Sequence, residues 1–581
     1  MRQIFRKAAT LTPIFLLFTL LPLTARMKFV PARLSSYPWY PSSSETADFF
    51  LYYRSFFFLF LCAWMLILLF FRFRAHPRFS VKFWLPLILY CILSFFSFLC
   101  SDYPSAGMYG MAEQMESIWV LLGYAVCVFS CALLPQTRQD LKLMGTAMGI
   151  GVFLQCLLGL SQLAGKDFFS TSLGKLLLVP DSLSQYRDTL RFTFGEDPLR
   201  SVYMALYNPN YVGSYAALFL PLSICGVFLF SSRKWKISSG MLSCLLLLCL
   251  FFSGSKAGLI TLFLMAVLVL LWSFRRHPQI RFWVFSGFFC LLALLAVYNF
   301  ANDQRLVKGV TSVFSQETEA SLTRVSPKKD QIAITYRGED YSLSLTGEET
   351  LHIETSGGKR LDSIEGLEFQ TYKEGQACHL VFTCENIPWD FLKTENGYIY
   401  YTIYGKPDQM ENAESVFPSR LDKAFTNRGY IWGRTIPLLK NTLLLGTGPD
   451  SFPLVFPQDD YLARSWLGKK FFSQILTKPH SLYLQTALQT GVLSLLCLLI
   501  FWKSCLARLY RSFVRPQTDG PSSLFLGCLF LGILGYLITG IINDSSLCVA
   551  PLFWGTLGLS LSACRILAPS AIQPKTAQWK T

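Results

Sequence analysis

Runs of about 20 apolar residues, broken by short polar stretches, dominate this chain. That length is what an α-helix needs to cross the hydrocarbon of a bilayer. The pattern predicts twelve spans, near residues 8–25, 49–71, 83–100, 117–134, 143–164, 209–230, 237–253, 256–274, 282–300, 481–502, 521–541 and 549–566. Residues 1–25 also have the outline of a signal peptide. "LPLTARM" offers no A-x-A cleavage site, so we expect an anchored first helix.

One long stretch, 301–480, interrupts the apolar pattern. Inside it, "QIAITYRGEDYSLSLTG", "LHIETSGGK", "CHLVFTC" and "GYIYYTIYG" alternate apolar and polar residues between turns. Such alternation predicts half-buried strands. The expectation is a small antiparallel β domain of six to eight strands near 316–415. After it, "YIWGRTIPLLKNTLLL" and "DDYLARSWLGKKFFSQIL" return to helical spacing. They read as amphipathic helices lying on the membrane surface, apolar face down.

Charge orients this arrangement. The chain of 581 residues carries a formal +16, with 52 Lys/Arg and 36 Asp/Glu. Residues 301–480 hold 20 of the basic and 23 of the acidic residues, so the excess lies elsewhere. It sits in "MRQIFRK", "RFRAHPRFSVK", "TRQDLK", "SSRKWK", "RRHPQIR", "KSCLARLYRSFVRPQ" and the C-terminal tail. All fall on one side of the twelve-span topology, which makes that side cytoplasmic. The expected organisation is a nine-span bundle over 1–300, an extracytoplasmic segment over 301–425, an outer loop over 426–480, three spans over 481–566 and a cytoplasmic tail over 567–581. Basic charge of this kind reflects topology, and nothing suggests nucleic-acid binding. The 17 cysteines lie mostly in apolar runs and read as core residues. Cys378 and Cys384 share one expected strand, about 20 Å apart at ~3.3 Å per residue, too far for a disulfide.

The polar residues of chemical interest fall on the outer side. Arg200 precedes "SVYMALYNPNYVG"; Lys256 sits in "SGSKAG"; Arg428 and Arg434 belong to "FTNRGYIWGRTIPLLKNTLLLGTGPDSF"; His480 lies in "KPHSLYLQTALQTG". Cations near lipid level are costly unless paired or functional, and guanidinium forks suit phosphate oxygens. They can equally snorkel to lipid phosphates. His480 opens the tenth span, where the positive helix end favours a neutral, proton-accepting imidazole. "YNPNYVG" and "GTGPDSF" are also plain turns, with Asp450 a possible cap. Glu113 and Glu116 in "EQMESIW" form a weak pair that an ordinary helix start would also produce. No HExxH, DxD or P-loop occurs, so no metal or nucleotide cofactor is expected.

In this order, Arg200 with "YNPNYVG", "SGSKAG", "RGYIWGRTIPLLKNTLLLGTGPDSF" and "KPHSLYLQTALQTG" resemble the O-antigen ligase and polymerase family of membrane glycosyltransferases. The resemblance spans roughly 100–545 and is densest over 200–260 and 425–500. It implies a polytopic helical membrane protein of about twelve spans with an outer loop. It also implies transfer of a glycan from a polyprenyl (undecaprenyl) diphosphate carrier to an acceptor hydroxyl on a saccharide or the cell envelope, without metal. On that resemblance His480 and Arg428 are catalytic, and Arg200, Lys256 and Arg434 hold the diphosphate. Two positions depart from the family: Lys256 where arginine is usual, and Ser481 after the histidine where asparagine is commoner. The β insertion resembles that of relatives from Gram-positive bacteria. A transporter or flippase would show charges buried mid-span and internal repeats, and a sensor would carry a cytoplasmic signalling domain. The sequence displays neither.

Overall fold

The computed structural model describes residues 2–75, 80–190, 202–276, parts of 285–300, 320–346, 350–375, 377–515 and 518–568. Eight described helices are long and apolar enough to span a bilayer: Tyr52–Phe71, Val81–Leu99, Arg138–Leu163, Pro209–Leu229, Arg233–Ser253, Val492–Phe513, Gly520–Thr539 and Ala550–Leu567. Shorter apolar helices, Thr10–Leu23, Ile118–Leu133 and Lys256–Trp272, stand at the expected first, fourth and eighth spans. The expected ninth span, 282–300, falls only in part among the described residues, and those parts are helical.

Apolar side chains from both halves of the chain share one core. Ile14, Leu17 and Phe18 of the first helix join Val128 and Cys131, and Leu557 and Ala563 of the last. Glycine permits the closest approaches. A Cβ on Gly258 would lie 2.5 Å from the Cα of Gly213, so the helices that carry them meet backbone to backbone. Two acids beside the basic stretches, Asp140 and Asp519, stabilise helix starts. Asp140 completes a capping box with Thr137, and Asp519 caps the Gly520–Thr539 helix while pairing with Arg138 at 3.1 Å.

One boundary differs from expectation. Gly491, at φ 103°, separates a nine-residue helix, Leu482–Thr490, from the span Val492–Phe513. His480 thus opens a short helix at the bundle end, not a span. The break is fixed by the loop before it: Val492 N–H donates to Thr442 O at 2.9 Å and Gly448 N–H to Gln489 O at 3.0 Å.

The β region has ten strands, more than expected, over Leu322–Asp408. They form two five-stranded antiparallel sheets in which neighbours in sequence are neighbours in space. Two-residue turns set the register: Arg337-Gly338 and Glu385-Asn386 all have positive φ, which matches the twist of a tight hairpin. Both sheets feed one core around Ile334, Leu343, Phe382, Trp389 and Phe391. Cys378 and Cys384 lie on one strand and are free thiols.

The segment expected on the membrane surface packs elsewhere. Residues 461–472 form two short helices, and Tyr461, Leu462 and Phe472 enter the β-domain core. Lys406 then ties the domain to the first loop, donating to the carbonyls of Ser35, Tyr37 and Tyr40 at 2.6, 3.1 and 2.9 Å.

Candidate active site

At the bundle end opposite the basic loops, three loops converge. The first is Thr477–Ser481. His480 holds φ 52°, a left-handed value unusual for a side-chain-bearing residue. The second joins the last two spans and carries Asn543, Asp544 and Ser545. Its Asp544 Oδ2 lies 3.0 Å from His480 Nδ1. The third, 110–117, supplies Glu113, Gln114 and Glu116.

Each loop is held by the others. Leu482 N–H donates to both Gly540 O and Asn543 O at 2.9 Å, which sets the spacing of His480 and Asp544. Thr477 Oγ1 donates to Glu113 Oε2 at 2.7 Å, Lys478 Nζ to Glu113 O at 3.2 Å, and Gln114 Nε2 to Thr477 O. Trp432 Nε1 donates to Pro479 O at 2.9 Å. Glu116 is buried; it accepts from Tyr124 OH at 2.5 Å, Ser545 Oγ at 2.6 Å and Gln485 Nε2 at 2.9 Å. Beside it lies a cavity of about 30 Å³, room for about two waters. Glu113, Met115, Tyr207, Asp450 and His480 all have positive φ. Such strain persists only where surroundings over-determine it, and it gathers at functional sites.

Cations surround Asp544. Burial alone would raise its carboxyl, but His480, Lys478 and Arg428 outweigh that and hold it below its ordinary value. Lys478 is buried, bonds Tyr211 OH at 3.4 Å and sits 5.4 Å over the Tyr207 ring. Burial opposes its charge, yet Tyr207, Glu113 and Asp544 more than restore it. Arg428 donates Nε to Ile542 O at 3.0 Å, one loop residue from Asn543. Asp544 Oδ1 is buried and has no hydrogen-bond partner among the described residues.

Of the five expected site residues, the structure brings His480 and Arg428 together. Lys256 begins a helix at the same end. The preceding Ser255 Oγ and Asn543 Nδ2 both donate to Asn210 O at 3.2 Å, which links that helix start to the Asp544 loop. Asn208 caps the Pro209–Leu229 helix, the plain turn role that its motif allowed. Arg200 lies outside the described residues. Arg434 is engaged elsewhere. It is buried; its Nη1 donates to both oxygens of Asp422 at 2.9 and 3.0 Å, its Nε donates to Asp460 Oδ2 at 2.9 Å, and it stacks on Tyr430 at 3.9 Å. Two of its three nitrogens are thus engaged by carboxylates inside the outer loop, away from the His480–Asp544 pair.

The local-helix argument for His480 also changes: the group facing the ring is a carboxylate. Sequence reasoning missed Asp544 and Lys478. Asp544 is the only acid after Asp519, a signal that was readable; Lys478 stands two residues before His480 in the quoted motif. Asp450 is no helix cap. Its buried Oδ2 accepts from Met111 N and Glu116 N at 2.8 and 2.9 Å, and burial pushes its carboxyl up to about 8. Among the described residues no three His, Cys, Asp or Glu side chains are placed to hold a metal ion.

A multi-pass helical membrane protein with a His–carboxylate pair ringed by cations at one bundle end is the class defined so far. Residues 396–499 match the family model described as O-antigen ligase, and the chain carries a domain of that family. The match includes Arg428, Lys478 and His480 and stops short of Glu116 and Asp544. No curated protein matches the chain.

Proposed function

We propose that this protein transfers a glycan from a polyprenyl-diphosphate carrier to an acceptor hydroxyl, at the outer face of the membrane and without metal. The observation that carries the reading is the 3.0 Å contact between His480 Nδ1 and Asp544 Oδ2 beside Arg428 and Lys478. An ionised Asp544 keeps the proton on Nδ1, so Nε2 is the proton acceptor. In the proposed step the acceptor oxygen attacks the anomeric carbon and its proton passes to Nε2. The bond from that carbon to the diphosphate oxygen breaks, and its electron pair leaves with the diphosphate. Attack opposite the leaving group inverts the anomeric centre.

Charge grows on the diphosphate as it departs, so preorganised cations lower the barrier. We assign this task to Arg428, Lys256 and Arg200, and give Arg434 a structural one. The basic loops support an orientation with both termini in the cytoplasm and 301–480 outside. Transport has less support: the His480–Asp544 pair and the cations Arg428 and Lys478 sit together at one end of the bundle.

The test is complementation of a deletion strain with wild type, His480→Ala or Arg428→Ala at matched membrane abundance. Both variants should accumulate lipid-linked glycan and lose surface polymer. Accumulated single repeats would mean a polymerase, long chains a ligase. Normal surface polymer from both variants would refute the catalytic assignment.

A further inference from the structure

The His480–Asp544 pair spans two loops, and its own side chains do little to fix it. Asp544 Oδ2 meets His480 Nδ1 at 3.0 Å, while Oδ1 is buried with no hydrogen-bond partner among the described residues. The direction of this carboxylate therefore comes from the backbone of its loop. The neighbouring Ser545 shows what holds that backbone. Ser545 N–H donates to Gln485 Oε1 at 2.8 Å, and Ser545 Oγ donates to Glu116 Oε1 at 2.6 Å. Gln485 lies on the Leu482–Thr490 helix that follows His480, and its Nε2 donates to Glu116 Oε2 at 2.9 Å.

Glu116 thus closes a ring. One of its oxygens holds the loop of Asp544, and the other holds the helix that begins beside His480. A carboxylate suits this place because it only accepts. The Gln485 oxygen is already taken by Ser545 N–H, so Gln485 must present its amide nitrogen. Glu116 is in turn fixed from outside the two loops. Tyr124 OH, on the Ile118–Leu133 helix, donates to its Oε1 at 2.5 Å, and Asp450 Oδ2 accepts from Met111 N and Glu116 N at 2.8 and 2.9 Å. The 110–117 loop reaches this shape through left-handed residues, Glu113 at φ 71° and Met115 at φ 54°. Gly110 permits the close return, since a Cβ there would lie 2.8 Å from Met115 Cα. Backbone strain and a buried carboxylate both cost stability. Here they place two acceptor oxygens between the two loops that carry the pair.

We propose that Glu116 is a positioning residue of the His480–Asp544 pair, setting its distance and angle through Ser545 and Gln485. Glu116 is 1% exposed, so it acts through these neighbours and not on substrate. The inference rests on the proposed function. It extends the machinery to a loop in the first half of the chain, outside the 396–499 family match.

The experiment measures transfer from a lipid-linked glycan by the full chain in proteoliposomes. It compares wild type, Glu116→Gln, Ser545→Ala, Asp544→Asn and the double variants, with a melting curve for each preparation. Glu116→Gln keeps the size and an acceptor for Gln485, but lays an amide nitrogen against Ser545 Oγ and Tyr124 OH. Ser545→Ala cuts the same arm from the other side, at a half-buried position, and serves alone if Glu116→Gln does not fold. Each should lower kcat about tenfold and leave KM within about twofold. The decisive quantity is the coupling. A residue that acts through the pair has little left to lose once the pair is broken, so either change added to Asp544→Asn should lower kcat by less than about twofold more. Effects that multiply in the double variants, a rise in KM without a fall in kcat, or folded single variants that match wild type would overturn the role. Loss of the fold in both single variants would make the clamp structural and overturn it as well. If Asp544→Asn and His480→Ala also match wild type, the pair itself is refuted, and the assignment of Glu116 falls with it.

Discussion

Asp544→Asn is the sharpest perturbation of the proposed mechanism. Asn matches Asp in size, so the Leu482 N–H contacts that fix the loop spacing remain. What changes is the partner of His480 Nδ1, now 3.0 Å from a carboxylate oxygen. A carboxylate can only accept and so holds the proton on Nδ1. An amide nitrogen at that place donates, which moves the ring proton to Nε2 and blocks the base. A charge-assisted hydrogen bond contributes about 1.5–3 kcal/mol, or roughly 10–150-fold in rate. Full loss of general-base catalysis would cost about 10²–10⁴-fold. We therefore expect a fall of about 10²-fold in kcat with little change in KM, since the lost interaction belongs to the transition state. The assay is transfer from a lipid-linked glycan in proteoliposomes over a pH series, with a melting curve of the same preparation. Asp544→Ala cannot donate to Nδ1 and should be less damaging than Asn. Activity within twofold of wild type in a folded Asp544→Asn protein would refute the dyad.

Arg434→Met leaves Asp422 and Asp460 buried without their shared cation. Breaking such a pair costs about 3–5 kcal/mol, seen as a large drop in melting temperature; an Arg434→Lys protein that stays folded should keep its KM for the lipid-linked donor, and a selective KM rise would restore the diphosphate role. Gly446→Ala should abolish folding or activity, because its Cβ would lie 2.2 Å from the Gln489 carbonyl carbon, which is backbone and cannot swing aside; a wild-type melting curve would contradict this packing. Asp450, pushed up to about 8 by burial, binds more protons folded than unfolded. Its stabilising contribution is complete below the ordinary carboxylate value near 3.8 and is lost as pH rises through about 8. Asp450→Asn should flatten the decline in melting temperature between about pH 4 and 8, and an unchanged slope would assign that decline to other groups.

The hydrophobic pattern determined much of this protein. Helix positions followed from apolar length alone, because a bilayer admits no unpaired backbone and leaves the helix as the solution for such runs. The β domain followed from alternation, although its number of strands did not: hairpin turns such as Glu385-Asn386 carry no glycine and hide in the alternating text. His480 and Arg428 were legible as cations or bases stranded in apolar surroundings. What the sequence could not decide was pairing. Arg434 and Arg428 are six residues apart in one stretch, yet one is locked between Asp422 and Asp460 while the other faces the loop of Asp544. That difference depends on which carboxylates the fold brings near, over separations from 12 to 116 residues. The same holds for His480, whose partner lies 64 residues away across two spans. Local sequence fixes the backbone hydrogen bonds of helices and turns, so it reveals elements. The neighbours of a buried charge are set by the packing of whole helices, and only tertiary structure decides them.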